Sequence, residues 1–269
     1  FVVVNQKATP VGKALLGTIV STTLSNEEME SVAGRLRNAG IEVEQSQAIT
    51  FLARHPESPF CDLIERGLAG DENGRLLKWN VFSSLISIFR DLSGGKLWGE
   101  RNDYAQKWEQ RCLHKSAIVG GFSEAGFDQP KNYWRSLDGP WRDVFIRFFV
   151  EIRDRFGDTE DADRHNYWGD PRGSNLFNKI SLTILAADFF QFLHETKQPI
   201  GTAQAVCDLV EEWLDGVKPT YFDKDWQLSN IKKDSTDIRK NWAKLWSDYR
   251  KGGGGNLPDR RNYSARKID

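Results

Sequence analysis

NLFNKISLTILAADFFQFLHE, residues 175–195, is apolar around most of the circumference of the α-helix it would form. A helix with so little polar face belongs at the centre of a bundle, with other helices on its sides. The flanking sequence supplies them. Upstream, Asp138, Pro140 and Trp141 open a helix that carries Val144, Phe148 and Ile152 and ends near Gly157. Downstream, Gly201-Thr202 starts a helix bearing Val206, Leu209, Val210 and Trp213, closed by Gly216. Asp234 or Ser235 starts a last one through Ile238, Trp242, Leu245 and Tyr249, closed by the glycines at 252–255. Apolar residues three and four apart between capping residues and glycines mark helices that lean on a shared core.

Towards the N-terminus the same reading continues. Ser25 and Glu28 form a capping box for a helix ending at Gly40. A second helix spans 44–54 and stops before His55-Pro56, because the residue preceding proline is pushed out of the α region. A short helix is expected at 60–66, closed by Gly67. Another, capped by Asn80, carries Phe82, Leu85, Ile86 and Phe89, and Tyr104, Trp108 and Cys112 mark one more. Residues 113–139, with glycines at 120, 121, 126 and 139, read as a connector between helical subdomains at 25–112 and 140–251, and 252–269 as a flexible basic tail. No internal repeat of fixed period is present.

Only the first residues depart from this pattern. Phe1 to Val4 form a strand-like run extending to Asn5, and Thr9-Pro10 then caps a helix through Val11, Leu15, Ile19 and Leu24. A strand with no partner leaves its backbone groups unpaired, so this one is expected to belong to a sheet built by residues upstream of Phe1. The expected architecture is mainly α: a multi-helix domain with one N-terminal strand, at 1–24, left from a truncated α/β domain.

Phe1, Asn5, Gln6, Lys7, Thr9, Pro10 and Val11 follow the order F-x-x-x-N, a short polar connection with Gln or Lys, then a small or β-branched residue opening a helix. This first stretch of about twenty residues resembles the segment after the Asp-Gly-Gln-His-Arg signature in the DGQHR-domain family, whose members are similar to a regulator of bacterial DNA sulfur modification. More distantly it is similar to ParB-like and sulfiredoxin-like domains. The signature itself does not occur in these 269 residues. The resemblance implies a ParB-like α/β domain at the N-terminus and a role in prokaryotic DNA modification, its regulation or phage defence. It places Asn5, Gln6 and Lys7 at the edge of a nucleotide or anion pocket. If a signature lies upstream, the resemblance also admits a nucleotide hydrolase or DNA-processing enzyme. Without it this portion is expected to be non-catalytic and to need no cofactor.

Composition narrows the partners. Lys and Arg number 37 against 38 Asp and Glu, so any nucleic-acid surface must be local. The three cysteines, Cys61, Cys112 and Cys207, show no metal-ligand spacing and read as reduced, buried thiols of a cytoplasmic protein. No run of about eighteen apolar residues is present, so no membrane span is expected.

Three stretches bear chemistry. In GDTEDADRHNYWGDPRGSN, residues 157–175, the side chains of Asp158, Glu160, Asp161, Asp163 and His165 suit a divalent cation. Their spacing matches neither an EF-hand nor a zinc signature, and a solvated acidic loop is the simpler reading, so no metal is assigned. Arg164, His165, Tyr167, Trp168 and Arg172 offer guanidinium and π surfaces for phosphates and bases, against the alternative that the two aromatics tuck onto the core. In residues 114–134, Gly120-Gly121 with His114 and Lys115 would suit an anion, but the full phosphate-loop spacing is missing. His114 and His165 have no nucleophile in a recognisable elbow to serve. Trp134, Trp141 and Trp168 border these polar loops and are the tryptophans to test for stacking.

The third stretch is the C-terminus. Residues 231–269 hold eleven basic residues against five acidic, a net of +6, which leaves −7 for the rest of a chain whose formal charge is −1. On the last helix Lys240, Lys244 and Lys251 share one face, opposite the apolar one. Arg260 and Arg261 follow the glycines. The expected work is therefore contact with DNA or with a DNA-modification or defence protein, through Lys240, Lys244, Lys251, Arg260 and Arg261 and the loop residues Arg164, His165, Tyr167, Trp168 and Arg172. A structural, oligomerising helical module is the alternative, which salt-independent self-association would mark.

Overall fold

The computed structural model describes residues 28, 31, 34–36, 38, 43–64, 77–92, 118–157, 168–169, 174–223 and 236–259. The strand expected at the N-terminus, the helix expected around Trp108 and the tail expected from Arg260 fall outside these residues. The described residues are mainly helical, and among them no strand forms beyond two isolated β-bridges. The chain divides into two compact units, Phe1–Ser83 and Ser84–Asp269.

In the first unit, residues 28, 31, 34–36 and 38 are helical, within the span that the Ser25 and Glu28 capping box announces. Helix α1, Val43–Arg54, buries Ala48, Ile49, Leu52 and Ala53 and stops before Pro56 as expected. The short helix expected at 60–66 is not formed over its described residues. Residues 59–62 are turns, and Asp62 takes a left-handed φ of 57°. Its amide donates 3.2 Å back to the Ala53 carbonyl near the end of α1, and the Leu77 amide donates 2.8 Å to the Leu63 carbonyl. A left-handed residue at position 62 breaks the right-handed helical path, so the chain turns there instead of starting a helix. Phe60 meets Phe82 edge-on with ring centres 4.9 Å apart.

Helix α2, Trp79–Asp91, has its last residues in the second unit. There Phe89 lies 5.0–5.8 Å from Phe145, Phe148, Phe149 and Phe190. The expected connector at 113–139 is irregular at 121–129 and then forms a short helix, α3, Pro130–Arg135, with proline in its first turn. The Trp134 indole of α3 is fully buried and donates 2.8 Å to the Phe89 carbonyl. Helix α4, Trp141–Ile152, buries seven of its twelve residues and ends in a π-helical turn, Arg153–Gly157.

Helix α5, Lys179–Thr196, is the central helix, with every residue from Ser181 to Leu193 buried. It begins four residues after Asn175 because Asn178 is the cap. The Asn178 Oδ1 accepts from the amides of Ile180 and Ser181 at 2.9 and 3.0 Å, while Leu176 and Phe177 are already in the core. Helix α6, Ala205–Trp213, packs on α4 and α5, and helix α7, Thr236–Lys251, packs on α5.

One carboxylate sits inside this apolar centre. Asp188 of α5 is 1% exposed, and its Oδ2 accepts from Trp213 Nε1 of α6 at 3.1 Å, from Trp246 Nε1 of α7 at 2.8 Å and from Arg250 Nε at 2.5 Å. Its Oδ1 accepts from Arg250 Nη2 at 3.2 Å. The knot joins three helices. Beyond it the glycines at 252–255 do not simply run off as a linker. Gly254 is buried, with φ of 64°, and a Cβ on it would overlap the carbonyl of Gly216, itself at φ of 73°. Backbone meets backbone there, so the end of α7 is fastened to the turn after α6.

Arg250→Ala, which strands a buried carboxylate, is expected to destabilise the protein by about 3–5 kcal/mol, against less than about 1 kcal/mol for Lys244→Ala at the surface. Urea unfolding followed by tryptophan fluorescence measures both. Equal, small effects would mean that the knot contributes little.

Candidate functional site

The inner face of α7 determines what its outer face can offer. Trp242, Leu245, Trp246 and Tyr249 are buried, and the Tyr249 ring stacks on Tyr221 at 4.8 Å while its hydroxyl accepts from the Lys218 amide at 3.1 Å. Helical periodicity then turns Lys244 and Lys251 outward, with side chains 67% and 49% exposed. The backbone at Lys240 is helical and the side chain is outside the description. Both described lysines have acidic neighbours. Lys244 Nζ reaches Asp248 one turn on at 2.5 Å, and Lys251 Nζ reaches Glu195 of α5 at 3.3 Å. Each described ammonium of this face is therefore matched by a carboxylate.

The second expected surface is placed differently. Trp168 is 8% exposed, its ring edge-on to Phe177 at 5.0 Å and its amide 3.3 Å from the Gly157 carbonyl. An indole held there has no open face for a base, and its backbone is tied to the end of the π-helical turn. Trp134 and Trp141 are fully buried as well, the latter donating 2.9 Å to the Ser136 carbonyl. Of the two readings of Trp168 the described structure has the ring on the core, and Trp134 and Trp141, singled out as tryptophans to test for stacking, are buried too, each a large apolar surface that the core takes up. Arg164, His165, Tyr167, Arg172, Arg260, Arg261, Asn5, Gln6 and Lys7 lie outside the described residues, as do Asp158, Glu160, Asp161, Asp163, His114 and Lys115. Gly120 and Gly121 are exposed in a turn.

No family model, curated protein or solved structure matches this chain. Its own chemistry therefore carries the functional argument. Among the described residues no helix is long and apolar enough to cross a membrane, and no group of three or more His, Cys, Asp or Glu side chains is gathered as a metal site would require.

Cys61 and Cys207 are free and half-buried rather than fully buried. Burial, together with a hydrogen bond to the Glu151 carboxylate, pushes the Cys207 thiol up to about 11. It is thus protonated and a poor nucleophile at neutral pH. The residues that sequence reading missed are Asp188 and Arg250. The available signal was a lone acid in the apolar run LAADFF, and nothing in the spacing names its partner 62 residues away.

Two measurements follow from these placements. Trp168→Ala is expected to lower stability by about 3–5 kcal/mol, read by chemical denaturation; a neutral result would return Trp168 to the surface. For Cys207 the folded state keeps a proton that the unfolded chain releases from about pH 9, so this thiol's contribution falls as pH rises from 9 towards 11. Cys207→Ala should flatten that part of the stability profile. An unchanged slope would contradict the raised thiol.

Proposed function

We propose that this chain is a non-catalytic helical portion of a DGQHR-like protein of prokaryotic DNA modification, its regulation or phage defence. In this reading it contacts nucleic acid through the outer face of α7 and the basic segment that follows. The observation that carries the reading is the two-sidedness of α7: Trp242, Leu245, Trp246 and Tyr249 are spent on the core, while Lys244 and Lys251 remain in solvent at the head of a segment containing Arg260, Arg261, Arg266 and Lys267. Lysine ammonium groups on a helix face give sequence-independent phosphate contacts that release counterions. The resemblance around Phe1, Asn5, Gln6 and Lys7 supplies the process, and the charge distribution supplies the surface. Trp168, being buried, is left out of that surface. Arg164, His165, Tyr167 and Arg172, outside the described residues, remain candidate contacts on their side-chain chemistry alone.

The test is fluorescence anisotropy of labelled duplex and single-stranded DNA with the full chain at low and moderate salt. It is repeated with Lys244→Glu/Lys251→Glu and with a chain ending at Asp259, which retains the approach of Gly254 to Gly216. Affinity should fall with salt, and removing one lysine–phosphate pairing should reduce the slope of log K against log salt by about 0.9 for duplex DNA. Absence of binding at low salt would sink the nucleic-acid reading for this chain, and salt-independent self-association would replace it with an oligomerising role.

A further inference from the structure

The end of α7 meets the end of α5 through three polar side chains. Gln191 of α5 is fully buried, and its Nε2 donates 2.6 Å to Glu195 Oε1. The same oxygen receives Lys251 Nζ at 3.3 Å. Three features set this pair apart from an ordinary surface contact. The backbone of Lys251 is fixed by its neighbour Arg250, whose guanidinium is locked on Asp188. The Glu195 carboxylate accepts from the side-chain amide of Gln191, a residue buried in the core. Glu195 also lies in the last turn of α5, where the helix macrodipole disfavours a negative charge. Helix stability therefore does not call for an acid at this position.

We infer that Glu195 is a built-in competitor for phosphate at Lys251, a carboxylate that holds the lysine and sets a ceiling on nucleic-acid affinity. The inference rests on the nucleic-acid reading above and specifies the regulation of that surface. A phosphate arriving at Lys251 meets a fixed negative charge beside the ammonium it seeks, and it must bind against that repulsion or displace the pair. Removing the charge while keeping the acceptor frees the lysine and leaves the Gln191 contact intact.

Glu195→Gln does this. The unaltered chain, Glu195→Gln, Lys251→Gln and the double variant are compared by anisotropy with labelled duplex DNA at low and moderate salt, with thermal melts to establish that each is folded. Glu195→Gln should bind about threefold to fivefold more tightly at low salt, the Coulomb effect of one carboxylate about 5 Å from a phosphate in water. The gain should shrink as salt rises, and it should vanish in the double variant. Wild-type binding with no gain in Glu195→Gln, or a gain that persists without Lys251, would overturn the competitor role and leave the nucleic-acid reading standing. No binding by either protein at low salt would overturn both.

Discussion

A charge taken out of water must be matched inside the protein, and Asp188 is where that requirement shapes this fold. The Coulomb attraction and hydrogen bonds of a buried ion pair only roughly offset the cost of desolvating it, but losing one partner leaves an uncompensated charge. Asp188 is matched four times over, by two indole N–H groups and both ends of a guanidinium fork. The donors come from α6 and α7, so α5 cannot bury its carboxylate until both have docked. A purely apolar α5 could accept its neighbours at many rotations. The knot selects one, as a bidentate Arg–carboxylate pair has a fixed plane and direction.

That selection extends outward. With Arg250 turned in, the residues one and two turns earlier on its face, Trp246 and Trp242, turn in as well, and Lys244 and Lys251 turn out. The aromatic layer around the knot follows from the same rotation: Trp246 lies 5.0 Å from Tyr221 and 5.9 Å from Trp213, and the Arg250 guanidinium sits over Phe192. Past Lys251 the glycines pass close to the Gly216 turn, backbone against backbone. One interior ion pair thereby decides which cations reach the surface.

How much of this is legible in sequence depends on the range of the interaction concerned. Periodicity is local, and it marks α1, α4, α5, α6 and α7 to within a few residues because burial repeats every three or four positions. Where a distant group competes, local reading fails. The turn at 59–62 carries a left-handed Asp62 whose amide bonds the Ala53 carbonyl of α1, and α5 starts only after Asn178 while the Asn175 backbone amide donates to the Phe222 carbonyl, 47 residues on, at 2.8 Å. The glycines at 252–255 read as a linker because nothing local says that another glycine lies against them. For the three tryptophans beside polar loops, sequence leaves stacking as something to test for the same reason. Their indole partners, the Phe89 carbonyl for one and the Ser136 carbonyl for another, become visible only once the chain has folded.

The outward placement of Lys244 and Lys251 was legible for the opposite reason, since the alternation of Trp, Leu and Tyr with Lys is itself the periodic signal. What the pattern omits is the compensation. Asp248 could have been found by counting four residues from Lys244, whereas Glu195 reaches Lys251 only because Asp188 and Arg250 bring two helix ends together. A count of charges therefore overstates how positive this surface is, and the structure divides its lysines into one paired within its own helix and one held from across the interface. The two pairs differ mechanically. Asp248 moves with α7 and with the lysine it neutralises, so a ligand that shifts the side chains can part them at little cost. Glu195 is tied through Gln191 to the core, so Lys251 must leave it rather than carry it along, and the corner where α5 and α7 end is the more resistant part of the basic surface.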